Sequence, residues 1–115
     1  MDDRTARDMA LDMPGTAVKE RYDRPSYSVK KRTYMTVWPV EQRAMLKLTP
    51  QQQSAHVDAH PDVFSPSAKA RGRYGWTDVH LADVDDRVFR YVLDLAWRNV
   101  APKWLVATRV APPRG

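Results

Sequence analysis

The chain has 115 residues, enough for one domain with its own core, and at 43% hydrophobic and 29% charged it has a globular rather than a disordered composition. It has no cysteine, which excludes disulfides, thiolate metal sites and thiol nucleophiles and fits a reducing compartment. The formal net charge of +5 admits an anionic partner such as nucleic acid.

In chain order, residues 3–13 place Ala6, Met9, Ala10 and Met13 at the i, i+3, i+4, i+7 spacing of one helical stripe. Asp2 and Asp3 sit where a helix dipole favours negative charge, and Pro14-Gly15 stops the helix. MDDRTARDMALDM has no basic start followed by an apolar run, so no secretory signal is expected. No apolar stretch is long enough to cross a bilayer, and a cytoplasmic location with no membrane partner is expected.

A β region follows. AVKERY (17–22), YSVKK (27–31) and TYMTVW (33–38) are rich in β-branched and aromatic residues, with Lys31-Arg32 expected at the tip of the second hairpin. Pro39 ends the third strand. RAMLKL (43–48) returns with Ala44, Leu46 and Leu48 alternating against Met45 and Lys47, as in a strand with one buried face. Short connections favour an antiparallel meander. TPQQQSAHVDAH is a helix with Thr49 as N-cap, Pro50 at N1 and Gln52 completing a capping box. HPDVFSP (60–66) reads as a break and loop, because Pro61 cannot continue a helix. The loop runs through RGRY to a strand GWTDVHL (75–81), with Thr77, Val79 and Leu81 on one face and Trp76, Asp78 and His80 on the other. Asp85 caps the last long helix, whose stripe is Phe89, Val92, Leu93, Ala96, Trp97 and Val100, and Pro102 ends it. WLVAT reads as a short continuation.

The order α-ββββ-α-β-α predicts a single α+β domain over residues 1–107. Helices pack on an antiparallel sheet of about five strands, and 108–115 form a flexible tail. No alternating βαβ pattern is present, so no dinucleotide-type fold is expected.

MALDMPG, RPSYSVKKRTYMTV, HPDVFSP, GWTDVHLADVD and AWRNVAPKWL, in that order, resemble the MmcQ/YjbR family over roughly residues 6–107. Gly75 and Trp76 match the family's Gly-Trp at a strand start. Ala96, Trp97 and Arg98 match its helix motif, and Ala101, Pro102 and Lys103 the segment after it. RGRY before the Gly-Trp pair departs from the family in degree. The resemblance implies a small cytoplasmic α+β domain, a double-wing arrangement of hairpins flanking a helix, and a DNA-binding role with no known reaction or cofactor.

The candidate contacts follow the charge. Residues 24–48 hold Arg24, Lys30, Lys31, Arg32, Arg43 and Lys47 against Glu41, and residues 67–76 hold Lys69, Arg71 and Arg73 with no acid. Residues 100–115 hold Lys103, Arg109 and Arg114, again with no acid. In RGRYGWT the arginines suit bidentate phosphate contacts, the glycines allow backbone N–H groups to approach, and Tyr74 and Trp76 offer rings to stack on a base or sugar. The structural alternative has Gly72 and Gly75 serving a turn and Trp76 packing at the sheet. Lys30, Lys31 and Arg32 suit a wing that meets a duplex backbone, or a charged turn that keeps a sheet edge soluble. Arg98 and Lys103 stand at a helix C-terminus, where the dipole stabilises cations without any ligand.

His56 and His60 are spaced i, i+4, but no third ligand is evident and HExxH is absent, so no metal is expected. GxSxG and P-loop patterns are absent, and Asp83, Asp85 and Asp86 have capping and turn roles, so neither catalysis nor a cofactor is expected. The leading expectation is DNA binding by phosphate contacts from Lys30, Lys31, Arg32, Lys69, Arg71, Arg73, Arg98 and Lys103, with low sequence specificity and strong salt dependence. The alternative is a non-enzymatic module that binds a protein or a small anion, favoured if Trp38, Tyr34 or Trp104 is exposed.

Overall fold

The alternating segments form a six-stranded antiparallel sheet in the computed structural model, which describes residues 1–21 and 23–109. The strands are β1 (Thr16–Lys19), β2 (Ser26–Val29), β3 (Arg32–Trp38), β4 (Arg43–Lys47), β5 (Phe64–Pro66) and β6 (Trp76–His80). They lie in the order β1-β2-β3-β4-β6-β5, so the first four form the expected meander and β6 inserts between β4 and β5. The helices are α1 (Asp3–Leu11), α2 (Pro50–Ala59), α3 (Ala70–Arg73), α4 (Asp86–Val100) and α5 (Lys103–Val106).

Helix starts follow local chemistry. The Asp2 carboxylate accepts from Thr5 N–H at 2.9 Å, and Asp85 accepts from Arg87 N–H at 2.8 Å. Thr49 and Gln52 form the expected reciprocal capping box at α2. The stripe on α4 buries Phe89, Val92, Leu93, Ala96, Trp97 and Val100 across β3 and β4. Facing it are Val29, Met35, Val37, Ala44, Leu46 and Val79, with Ala6 and Ala10 of α1 in the same core. The buried Trp97 indole N–H donates to the Pro14 carbonyl at 2.9 Å, tying α4 to the turn after α1. Tyr34 is fully buried, which removes it from the exposed aromatics considered above. Its hydroxyl donates to the Ala10 carbonyl at 3.2 Å and lies 2.8 Å from the Thr16 hydroxyl, and burial pushes it up to about 12.

Three local expectations change. The segment HPDVFSP contains β5, an edge strand of 3 residues too short to show a period; Phe64 is buried and Pro66 closes the strand. The β2–β3 turn is Lys30-Lys31 rather than Lys31-Arg32, because Val29 pairs with Arg32; both lysines hold positive φ, 50° and 68°, as a two-residue hairpin loop demands. Of RGRY, Arg71–Arg73 belong to the single turn of α3 rather than a loop, and Tyr74 is its C-cap. There a Cβ on Gly72 would collide with the Ser67 carbonyl oxygen, and one on Gly75, at φ +98°, with the Leu48 carbonyl oxygen. Both glycines therefore serve close backbone packing inside the fold.

Among the described residues no helix is long and apolar enough to cross a membrane. Thr108 and Arg109, expected in the tail, follow α5 in turns whose backbone N–H groups donate to the Leu105 and Val106 carbonyls. The rest of the expected tail, 110–115, lies outside the described residues.

Candidate functional site

Helices α1 and α4 cover one face of the sheet, and among the described residues the opposite face carries α3 at one margin. Its rows follow from the register. Ser26 of β2 pairs with Thr36, Thr36 with Met45, Met45 with Asp78, and Asp78 with Ser65. To one side lies the row Trp38, Arg43, His80; to the other, Lys47 beside Trp76. Met45 is 7% exposed yet lies outside the main core cluster, so the side chains of this outer face cover it.

Each outer indole has a cation beside it. The Arg43 guanidinium lies 3.9 Å from the centre of the Trp38 ring, and the Lys47 ammonium lies 5.5 Å from that of Trp76. Both cations are fixed from behind. Arg43 pairs with Glu41 at 3.2 Å and Asp78 at 3.5 Å, and Lys47 donates to the Tyr74 carbonyl at 2.6 Å. Asp78 also accepts from the Ser67 hydroxyl at 2.7 Å.

Two adjoining depressions occupy this face. One, of about 310 Å³, is lined by Arg21, Arg24 and Arg71, by the hydroxyls of Ser26, Thr33 and Thr36, and by Trp38, Trp76 and Met45. Among the described residues no carboxylate lines it. The other, of about 590 Å³, shares Trp38, Met45 and Arg71 and adds Lys69, Arg43, Ser67 and Asp78. Arg21, Arg24, Lys69 and Arg71 are exposed and have no ion-pair partner among the described residues. Chemically this is a concave surface with guanidinium groups that hold no ion pair among the described residues, neutral hydroxyls and two aromatic walls, suited to a ligand that combines phosphate with a flat ring.

Lys69 stands just before α3 at φ 62° and ψ −150°, a region that side chains other than glycine enter at a cost of about 1–3 kcal/mol. The surrounding fold imposes this conformation, and the turn brings Lys69 and Arg71 to the edge of the outer face.

The structure sorts the residues expected from the sequence into four places. Lys69, Arg71 and Trp76 meet on the outer face. Arg73 and Tyr74 stand exposed at the end of α3 and line neither depression. Lys30, at the hairpin tip, places its ammonium 5.9 Å from the Trp104 ring of α5, a helix whose Leu105 and Val106 pack on the main core. Lys31, Arg32 and Lys103 are exposed in the same part of the chain. Arg98 turns to the helix layer, where its Nε donates to the buried Asp94 at 2.8 Å, and Arg109 approaches the other oxygen of that carboxylate at 3.5 Å. The His56 ring lies 2.9 Å from the Gln52 carbonyl and packs against Phe64 and Tyr91. Among the described residues no group of three metal-ligating side chains comes together.

Sequence reasoning missed Arg21, Ser26, Thr33, Thr36, Trp38 and Met45 as members of one surface. The polar positions on β2 and β3 were the available signal, but a bulge hides the pattern. Tyr27 pairs with Met35 and Ser28 with Thr33, so β3 spends Tyr34 as an extra residue. Thr33 and Thr36 then share a face although they are three apart.

A family model, YjbR, matches residues 11–99. The crystal structure of Deinococcus radiodurans protein DR2400, a DUF419 domain, superposes with a TM-score of 0.70 at 19% identity, covering 81% of this chain and 73% of that one. No curated protein matches the chain. The likeness to DR2400 extends to the fold, and the matched region runs from the end of α1 to the last turn of α4. The chain belongs to the YjbR family.

Proposed function

We propose that this protein binds DNA, without a reaction, through phosphate contacts on the open face of its sheet. The observation that carries the reading is the acid-free depression, where Arg21, Arg24 and Arg71 converge beside three hydroxyls and two indoles. Arginine binds phosphate with two parallel hydrogen bonds, and an exposed guanidinium without a carboxylate partner has its donors available. Phosphate contacts position the polymer without reading its sequence, so specificity is low. The contacts expected at the hairpin tip and at Arg98 become secondary: Arg98 already serves a buried carboxylate, and the tip lies beside α5.

The test is fluorescence anisotropy with labelled DNA, duplex and single-stranded, at several salt concentrations. With about four phosphates neutralised, log affinity falls against log salt with a slope of about −3 to −4. Arg24→Ala and Arg71→Ala each weaken binding several-fold and flatten the slope by about 1. Affinity that is indifferent to salt, or no better than that of an unrelated basic protein with either form of DNA, ends this reading.

One observation favours a second reading. Trp104 is 63% exposed beside Lys30, which suits a protein contact at that edge.

A further inference from the structure

We infer that the DNA this face takes is single-stranded, with unpaired bases stacked at Trp38 and Trp76; the inference rests on the DNA-binding reading above. Three observations lead there. The first is the placement of the rings. Trp38 pairs with Arg43 and Trp76 with Lys47, so the two indoles are offset by four residues of β4, about 13 Å along the strand. They also stand two strands apart, about 10 Å across the sheet. Both line the same depression, with Met45 between them and Arg71 at its margin. Partly exposed rings spread over a sheet can meet bases whose own faces are free. In a duplex those faces are stacked on each other and cannot reach a sheet.

The second observation is the bracing. Arg43 and Lys47 are held by Glu41, Asp78 and the Tyr74 carbonyl, so they serve the indoles more than a phosphate. A cation against a ring fixes the ring's orientation and leaves its remaining surface for the ligand. The third is the division of charge. The unpaired cations Arg21, Arg24, Lys69 and Arg71 lie around the rings rather than in a ridge that would follow two backbones across a groove. A backbone tracked by cations, with bases turned inward onto aromatic rings, is the general plan of sequence-tolerant single-strand binding.

The decisive comparison uses a labelled oligothymidylate of about ten nucleotides, which forms no self-structure, against a duplex of equal length at the same salt. The expected result is tighter binding of the single strand by about tenfold, with quenching of intrinsic tryptophan fluorescence that persists in Trp104→Phe. Trp38→Ala and Trp76→Ala each weaken the single strand on the order of 5- to 100-fold, and weaken it more than they weaken the duplex. Trp38→Phe and Trp76→Phe keep most of the affinity, which separates loss of a ring from loss of the fold. Equal or tighter duplex binding overturns the inference and leaves the DNA-binding reading standing. So does single-strand binding that is unquenched and unchanged in the folded Phe and Ala variants. Arg24→Ala and Arg71→Ala lower affinity for both forms, and binding of neither form by the parent protein removes both readings together.

Discussion

Lys69 illustrates how a single side chain can work against the fold for a site. Its backbone conformation is one that glycine enters freely and lysine does not. Glycine does occupy the nearby positions where packing demands it, Gly72 and Gly75. Lys69→Gly should therefore raise stability by about 1 kcal/mol, read as a higher midpoint in urea. The same variant should bind DNA several-fold more weakly, because a cation leaves the rim of the depression. If stability falls, the lysine is not strained; if affinity is unchanged, it is not a contact. The opposite signs are what distinguish a functional lysine from a solvated one. Trp76 shows a related division at residue scale: it closes the outer face, while Thr77 beside it points into the core.

Between elements, Tyr34 is the joint. Its hydroxyl reaches the end of α1 at Ala10 and lies against Thr16 of β1, so one buried group ties two elements to β3. Burial raises its ionisation to about 12, from an ordinary value near 10. Below about pH 10 the group is protonated whether the chain is folded or not, and its contribution to stability is constant. Between about 10 and 12 the unfolded chain loses the proton and the folded one keeps it, so stability falls as pH rises, by about 2–3 kcal/mol in all. Tyr34→Phe should remove this alkaline loss, seen as a shallower drop in Tm above about pH 10 relative to the parent. At neutral pH the same variant should lose about 1 kcal/mol from the missing hydrogen bonds. The bulge that creates the joint also aligns Thr33 with Thr36 on the outer face, so one irregularity of β3 serves the core and the site together.

At the scale of the whole molecule, most of the cations considered for DNA contact divide between the outer face of the sheet and the hairpin end beside α5. A paired variant, Lys30→Ala with Trp104→Ala, should leave DNA affinity within about twofold, while Arg24→Ala with Arg71→Ala should reduce it more than tenfold. The reverse result would move the DNA contact to the hairpin end. This division is also where the sequence stopped being informative. The spans of α1, α2 and α4, their caps, the core stripe of α4 and the alternation of β4 are local properties, fixed by dihedral preferences and by the 3.6- and 2-residue periods, and they could be read residue by residue. The motifs around Gly-Trp and AWRNVAPK likewise pointed to the YjbR family before any fold was known. Strand β5 could not be read, because three residues ending in proline carry no period. Nor could the meeting of Arg21, Arg24 and Arg71, which depends on β6 inserting beside β4 and carrying α3 to the margin of the sheet. The sequence by itself determined which side chains were charged and which elements held them. Tertiary structure decided which charges were already spent, as Arg98 is on Asp94, and which were left unpaired on a common face, because pairing and convergence are set by long-range packing that no local pattern encodes.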